Sequence, residues 1–312
     1  MGAMPTYLRV VVTTRCNHRC DFCHREGDPH ARGTPAELSL PALEARVLAA
    51  VRAGVRKVKL LGGEPFLRRD LPSLIAAVRA ACPAVDLSVI TAGAVPVEAL
   101  LRAYDAGLTR VNVSIHGFTA AAHARTTRAP GAFALRQEFL AAALAEATRR
   151  GVPLKLNYVF GEDGDRGDLA ALLTWSTDKP VVVGLLDDLG ADLSWRPLAA
   201  LVEALRGPHA TQVVLVDPAS LPTLLRRWPD GLRVEFKHLR LGEVAPYVAC
   251  PTCPARARCK EGITALRLTH RGLFQPCMDR PDAAFDLGPF LGGAAGGDIG
   301  AAFALRAWAR SL

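Results

Sequence analysis

Aromatic residues are scarce in this chain of 312 residues, at 6%, with four tyrosines and four tryptophans. Neither interleaved aromatic and basic residues nor a helix-turn-helix pattern is present, so nucleic acid is not the expected partner. No apolar run approaches the roughly 18 residues that span a bilayer. The first residues lack the charged n-region and apolar h-region of a secretory signal. No segment joins high charge to low hydrophobicity, which argues against wholesale disorder. Together these absences predict a soluble, cytoplasmic protein with no membrane partner.

Half of the residues are hydrophobic and the net charge is +8. That is enough apolar material for one large α/β domain, or one domain with a smaller appendage. The arginines are scattered through alanine-rich helical segments, where they solvate helix faces. A basic balance also suits a phosphorylated small molecule.

Cysteine is not scarce. Of eight, Cys82 stands alone in an apolar context and reads as a small core residue. The others form two groups, Cys16, Cys20 and Cys23 near one end and Cys250, Cys253, Cys259 and Cys277 near the other. In a reducing compartment, grouped cysteines bind metal more often than they form disulfides. The first group, C-x3-C-x2-C, is one thiolate short of the four that hold a ferredoxin-type cluster. A zinc loop completed by His18, His24 or His30 is the alternative.

Short β-branched runs alternate with longer helical patterns. Strands are expected at Leu8 to Thr13, Lys57 to Leu61, Asp86 to Thr91, Arg110 to Ser114, Pro153 to Phe160 and Val181 to Leu186, with helices between them. Repeated strand–helix–strand units imply a parallel sheet with right-handed crossovers. No G-x-G-x-x-G follows the first strand, which weakens a dinucleotide-binding sheet. Unusual residues gather after strand ends: the cysteine loop, Gly62 to Pro65, Thr91 to Gly93, and His116. Barrels place working residues there. The expected fold is therefore α/β, a partial (β/α)6 TIM-like barrel over residues 4–190 with one mouth. Residues 191–245 are expected to complete or link the barrel, with strands at Gln212 to Val216 and Leu232 to Phe236. Residues 246–312 form a cysteine-rich extension ending in a helix.

The order Cys16-NHR-Cys20-DF-Cys23, then Gly62-Gly63-Glu64-Pro65, then the strand VNVSIHG, resembles the radical S-adenosylmethionine (radical SAM) superfamily. The resemblance implies a [4Fe–4S] cluster on the three cysteines and SAM on the open iron. It implies SAM-facing roles for Gly62, Gly63, Glu64, Pro65 and Ser114, with His116, Arg125 and Asn157 near SAM or substrate. It also implies an external one-electron reductant of the flavodoxin or ferredoxin type. Thr91-Ala92-Gly93 departs from the T-N-G of close relatives, so Ala92 carries no assigned role.

The segment from Cys250 to Cys277 is similar to the end of GTP 3′,8-cyclases, which bind an auxiliary [4Fe–4S] cluster. That similarity implies a second cluster on Cys250, Cys253 and Cys277, with Cys259 a candidate fourth ligand, and anion binding by Arg256, Arg258, Arg267 and Arg271. A fourth thiolate, Cys259, and an ending without the cyclases' double glycine both depart from that subgroup. The implied function is a radical SAM enzyme acting on a small, anionic or nucleotide-like substrate between two clusters, in a specialised biosynthetic pathway. A maturase acting on a ribosomally made peptide is the alternative, and a structural zinc knuckle is the alternative for the second cysteine group.

Overall fold

The computed structural model describes residues 6–23, 37–161, 164–187, 195–216, 223–237, 252–254, 265–278, 280–288 and 291. Six strands alternate with helices in its first half: β1 (Tyr7–Thr13), β2 (Lys57–Gly62), β3 (Asp86–Thr91), β4 (Arg110–Ile115), β5 (Leu154–Phe160) and β6 (Val181–Asp187). They pair in parallel in chain order, as six successive β–α units require. The helices are α1 (Leu40–Arg52), α2 (Leu71–Ala81), α3 (Val97–Asp105), α4 (Ala120–Thr127), α5 (Phe133–Arg150) and α6 (Arg166–Trp175).

Alternation along each strand explains the core. Leu8, Val10 and Val12 of β1, Val58 and Leu60 of β2, and Leu87 and Val89 of β3 are buried in one apolar cluster with helix residues such as Leu43, Val47 and Leu74. Each such side chain contributes about 1.5–3 kcal/mol on burial. Successive strand residues point to opposite faces. Arg9, Lys59, Ser88, Arg110, Asn112, Lys155 and Asn157 therefore share the face turned away from the helices.

The rest of the chain extends both edges of this sheet. α7 (Trp195–Arg206) leads to β7 (Thr211–Leu215), β8 (Thr223–Arg227) and β9 (Arg233–Lys237), and β9 joins β6 in parallel. On the other side β10 (Leu266–Leu268) joins β1 in parallel, with β11 (Leu273–Gln275) and β12 (Phe285–Asp286) following antiparallel. The result is one 12-stranded sheet in the order β12-β11-β10-β1-β2-β3-β4-β5-β6-β9-β8-β7. The divisions expected at 190 and 245 thus fall between elements that share a sheet. Arg46 of α1 ties down the added hairpin: its Nε donates to the Gly272 carbonyl and its Nη2 to Asp286, each at 3.0 Å.

Several elements lie outside the sequence expectation, among them the short strands β11 and β12. α4 is short and rich in alanine, α7 follows a loosening of the pattern, and β8 (TLLRR) has two terminal arginines where alternation would help. Cys82, expected in the core, is half-buried at the end of α2. The C-terminal helix lies outside the described residues. Among the described residues, no helix is long and apolar enough to cross a membrane.

Candidate functional site

β1 delivers the cysteine loop, and the backbone of the next strand end seats it. Gly63 N–H donates to Thr13 O at 2.9 Å and Glu64 N–H to Arg15 O at 2.7 Å. The chains approach so closely that a Cβ on Gly62 would stand 2.3 Å from Thr13 O, and one on Gly63 2.2 Å from Arg15 O. Glycine is required at both positions. Further contacts come from other elements. Arg19 N–H donates to Thr127 O at 2.9 Å, at the end of α4, and Asn17 Nδ2 donates to Ala94 O at 2.7 Å. Arg128 pairs with Asp21, and Arg15 meets Glu37 at 3.0 and 3.2 Å.

Within this seat Cys16 and Cys23 are exposed and Cys20 is half-buried. The His18 N–H donates to Cys16 Sγ at 3.4 Å. Desolvation raises the Cys16 thiol and pushes Cys20 up to about 12, with the neighbouring thiols adding to it. Without a metal the Cys16 and Cys20 thiols hold their protons; a cluster that binds them displaces those protons. Among the described residues no three His, Cys, Asp or Glu side chains converge as the ligands of a single ion do. His24 and His30, which the zinc reading needs, lie outside the described residues, as do Cys250, Cys259, Arg256 and Arg258. Three thiols spread along one exposed loop suit a polynuclear cluster, which spreads its ligands over its corners.

Three histidines pack beneath the loop. The His18 and His123 rings meet edge-on at 5.3 Å, and His116 packs against Phe22 of the loop at 5.0 Å. Burial holds His18 and His123 down to about 4 and His116 to about 3, so all three are neutral at pH 7. Behind them the buried Arg136 donates through Nη2 to the carbonyls of Gly117 and Phe118, both at 3.1 Å. The buried Asp168 accepts from the N–H groups of Phe118 and Thr119 at 2.7 Å and from Tyr158 at 3.0 Å, which fixes the loop after β4.

The Glu64 carboxylate is 0% exposed and turned inward. It accepts from Thr91 Oγ1 at 2.7 Å, Ala92 N–H at 2.9 Å and Phe66 N–H at 3.2 Å. Burial outweighs these donors and raises its pKa to about 7. These bonds make the carboxylate a clamp between the ends of β2 and β3. Thr91, the partner that makes the clamp, carried no role in the sequence reading.

Ser114 and Asn157 sit side by side in register on β4 and β5, on the face away from the helices. Arg125 is exposed on α4 and pairs with Asp165 at 2.9 Å. Arg267 is 4% exposed on that same inner face of β10. Arg271 is exposed in the β10–β11 turn, away from it.

The register also brings to Arg267, which the sequence singled out, two neighbours that it did not: Arg9 and Lys59. Arg267, Arg9 and Lys59 are direct neighbours across β10, β1 and β2, with Ser88 and Arg110 next in the same row. Charged residues inside strands that are otherwise apolar are the signal that could have revealed them: LRVVVT, KVKLL, LRL. β11 runs antiparallel to β10, with Gln275 opposite Arg267, so Cys277 lies towards the N-terminal strand ends. The cysteine loop lies at the opposite, C-terminal ends.

Residues 10–175 match the model of the radical SAM superfamily. The chain belongs to that superfamily. Membership of this radical SAM enzyme family carries with it a [4Fe–4S] cluster and SAM, and the three-thiol loop on its glycine seat fits both. Over 276 residues the chain is 31% identical to a GTP 3′,8-cyclase of Pelotomaculum thermopropionicum, covering 87% of this chain and 81% of the relative. It is 32% identical over 186 residues to a probable GTP 3′,8-cyclase of Thermococcus kodakarensis, covering 60% of this chain and 58% of that one. This radical SAM fold is similar to the crystal structure of Streptococcus suis SuiB bound to S-adenosylmethionine, with a TM-score of 0.60 at 13% identity over 92% of this chain and 64% of that one. Native anSMEcpe with bound AdoMet gives a TM-score of 0.55 at 13% identity, over 87% of this chain and 74% of that chain.

Proposed function

We propose that this radical SAM enzyme abstracts hydrogen from a small, anionic, nucleotide-like substrate held on the polar face between two cysteine groups. The observation that carries the reading is the row Arg267–Arg9–Lys59. Three cationic side chains on neighbouring strands can grip a phosphate, with the arginines acting as planar forks and the lysine as a point charge. The similarity to GTP 3′,8-cyclases supports the same class of substrate.

When bound, a reduced cluster and SAM supply a 5′-deoxyadenosyl radical that takes a hydrogen atom from the substrate. The chain itself binds and orients. Cys16, Cys20 and Cys23 hold the cluster, leaving one position for SAM. Gly62, Gly63 and Pro65 bring a bare backbone edge beside that position, and Glu64 keeps the edge fixed through Thr91 and Ala92. Ser114 and Asn157 offer a hydroxyl and an amide to the polar part of SAM or substrate. His116 acts through Phe22 as a positioning residue, and Arg125 through Asp165.

Cys277, with Cys250, Cys253 and Cys259, would hold a second [4Fe–4S] cluster. An external one-electron donor of flavodoxin or ferredoxin type reduces the first cluster. Incubation of the anaerobically reconstituted enzyme with SAM and a strong reductant tests the reading. Release of 5′-deoxyadenosine is expected; its complete absence from protein with a full iron complement overturns the proposal.

A further inference from the structure

A helix leaves its first N–H groups and its last carbonyls without partners inside itself. α4 spends both sets on other elements. Just before its first turn, the N–H groups of Phe118 and Thr119 each donate to Asp168 of α6 at 2.7 Å. The Thr119 hydroxyl donates to the same carboxylate at 2.7 Å and accepts from Ala122 N–H, so one side chain joins the helix cap to Asp168. Asp168 is 2% exposed, and its negative charge suits a helix N-terminus.

At the other end, Thr127 is the last residue of α4, and its carbonyl accepts from Arg19 N–H at 2.9 Å. Arg128, which caps the helix, pairs with Asp21. Arg19 and Asp21 are the direct neighbours of Cys20 in the chain. From the middle of the helix, the His123 ring meets that of His18, two residues before Cys20. These three contacts bracket Cys20.

The helix between the two ends spans about 12 Å for its eight residues. The loop that leads into it is held from behind, where Arg136 Nη2 donates to the Gly117 and Phe118 carbonyls at 3.1 Å. Gly117 lies so close to α4 that a Cβ there would stand 2.2 Å from His123 N. A shift of this loop is therefore passed on to the helix.

We infer that Asp168 is a positioning residue for the first cluster: acting through α4 as a strut, it sets where Cys20 stands. The inference rests on the reading that Cys16, Cys20 and Cys23 hold that cluster, and extends it to a carboxylate on another helix. The β2 end anchors the loop at Thr13 and Arg15, before Cys16, whereas α4 anchors it around Cys20. The spacing of the thiols depends on both anchorages.

Asp168→Asn tests the strut. Whichever way the new amide turns, its NH2 faces one of the two backbone N–H groups, so α4 loses a tie. In the metal-free full-length chain, amide hydrogen exchange at Arg19 should speed up about tenfold or more, the scale of a lost bond to a charged group. The amides of Gly63 and Glu64, which belong to the other anchorage, should stay within about twofold. In the reconstituted and reduced enzyme with SAM, the electron paramagnetic resonance spectrum should split into more than one species, because Cys20 no longer has a single position. Thr119→Val removes the hydroxyl that joins cap and carboxylate and should move both readouts the same way; Thr119→Ser should restore them.

Equal acceleration at Arg19, Gly63 and Glu64 would mean a general loosening and overturn the inference. So would Arg19 exchange that no variant alters, faster exchange with an unchanged spectrum, or a Thr119→Ser variant that behaves like Thr119→Val. Should Asp168→Asn fail to fold, the two Thr119 variants decide alone. Failure of the underlying reading looks different: wild type itself then shows no change of its cluster spectrum on adding SAM, and the inference falls with that reading.

Discussion

The two ends of the polar face present cysteines in different ways. At the C-terminal strand ends, Cys16, Cys20 and Cys23 sit on a loop bonded by backbone groups of the β2 end and by the end of α4. At the N-terminal ends, Cys277 follows a short strand, β11, which hangs on the edge of the sheet through β10. The first seat is formed by strand ends that the barrel must contain anyway. The second depends on a hairpin added to one edge and on the guanidinium of Arg46. Errors in the first seat should therefore disable the enzyme, whereas errors in the second should spare the first cluster.

Removing the ligands breaks the comparison most completely. The triple variant Cys16→Ala/Cys20→Ala/Cys23→Ala should release no 5′-deoxyadenosine, yet keep about half of the wild-type iron after reconstitution, since the proposed ligands of the second cluster remain. Iron content and product release measure both statements; full loss of iron would mean that the second group binds no cluster of its own. Gly63→Ala asks whether the seat alone suffices. Its Cβ would overlap Arg15 O, so the loop must shift, at about 1–3 kcal/mol for an overpacked site. Reconstituted iron should fall at the first site, and product release should fall with it.

Arg46→Ala addresses the other end. It removes bonds to Gly272 O and to Asp286, at about 1–3 kcal/mol for bonds to a charged group. Thermal unfolding should shift downwards and iron should be lost from the second site, with the first site retained. Loss from the first site instead would show that the hairpin supports the cysteine loop.

Much of this architecture was legible in the sequence because the chemistry is local. The six β–α units announce themselves by alternation and spacing, and the loop and GGEP by residue types that few structures require at that distance. The polar face was hidden for a physical reason. Arg9, Lys59 and Arg267 lie far apart in the chain and each looks like an isolated charge; only parallel register makes them neighbours. The direction of Glu64 was equally hidden. A carboxylate after two glycines reads as a ligand for an ammonium, and nothing local reveals that Thr91 and Ala92 also donate to it. The end at which Cys277 lies was hidden too, because spacing says nothing about which way an edge hairpin runs.

The smallest effect concerns that buried carboxylate, and it separates the clamp from the ligands it serves. Glu64 has its pKa raised from 4.5 to about 7 in the folded chain, because burial disfavours its charge more than its three donors favour it. A raised folded pKa contributes stability that is fully present below the unfolded value, near 4.5, and is lost as pH rises through about 7. The shift corresponds to about 3 kcal/mol. Glu64→Gln cannot titrate, and its amide must place a donor against either the Thr91 hydroxyl or the Ala92 N–H, so it should be less stable than wild type at pH 4. The gap should then narrow steadily towards pH 7.5, measured by denaturant unfolding of the metal-free chain. A gap that stays constant across that range would mean that Glu64 is ionised throughout, with its donors stronger than its desolvation, and the clamp would then be a charged one.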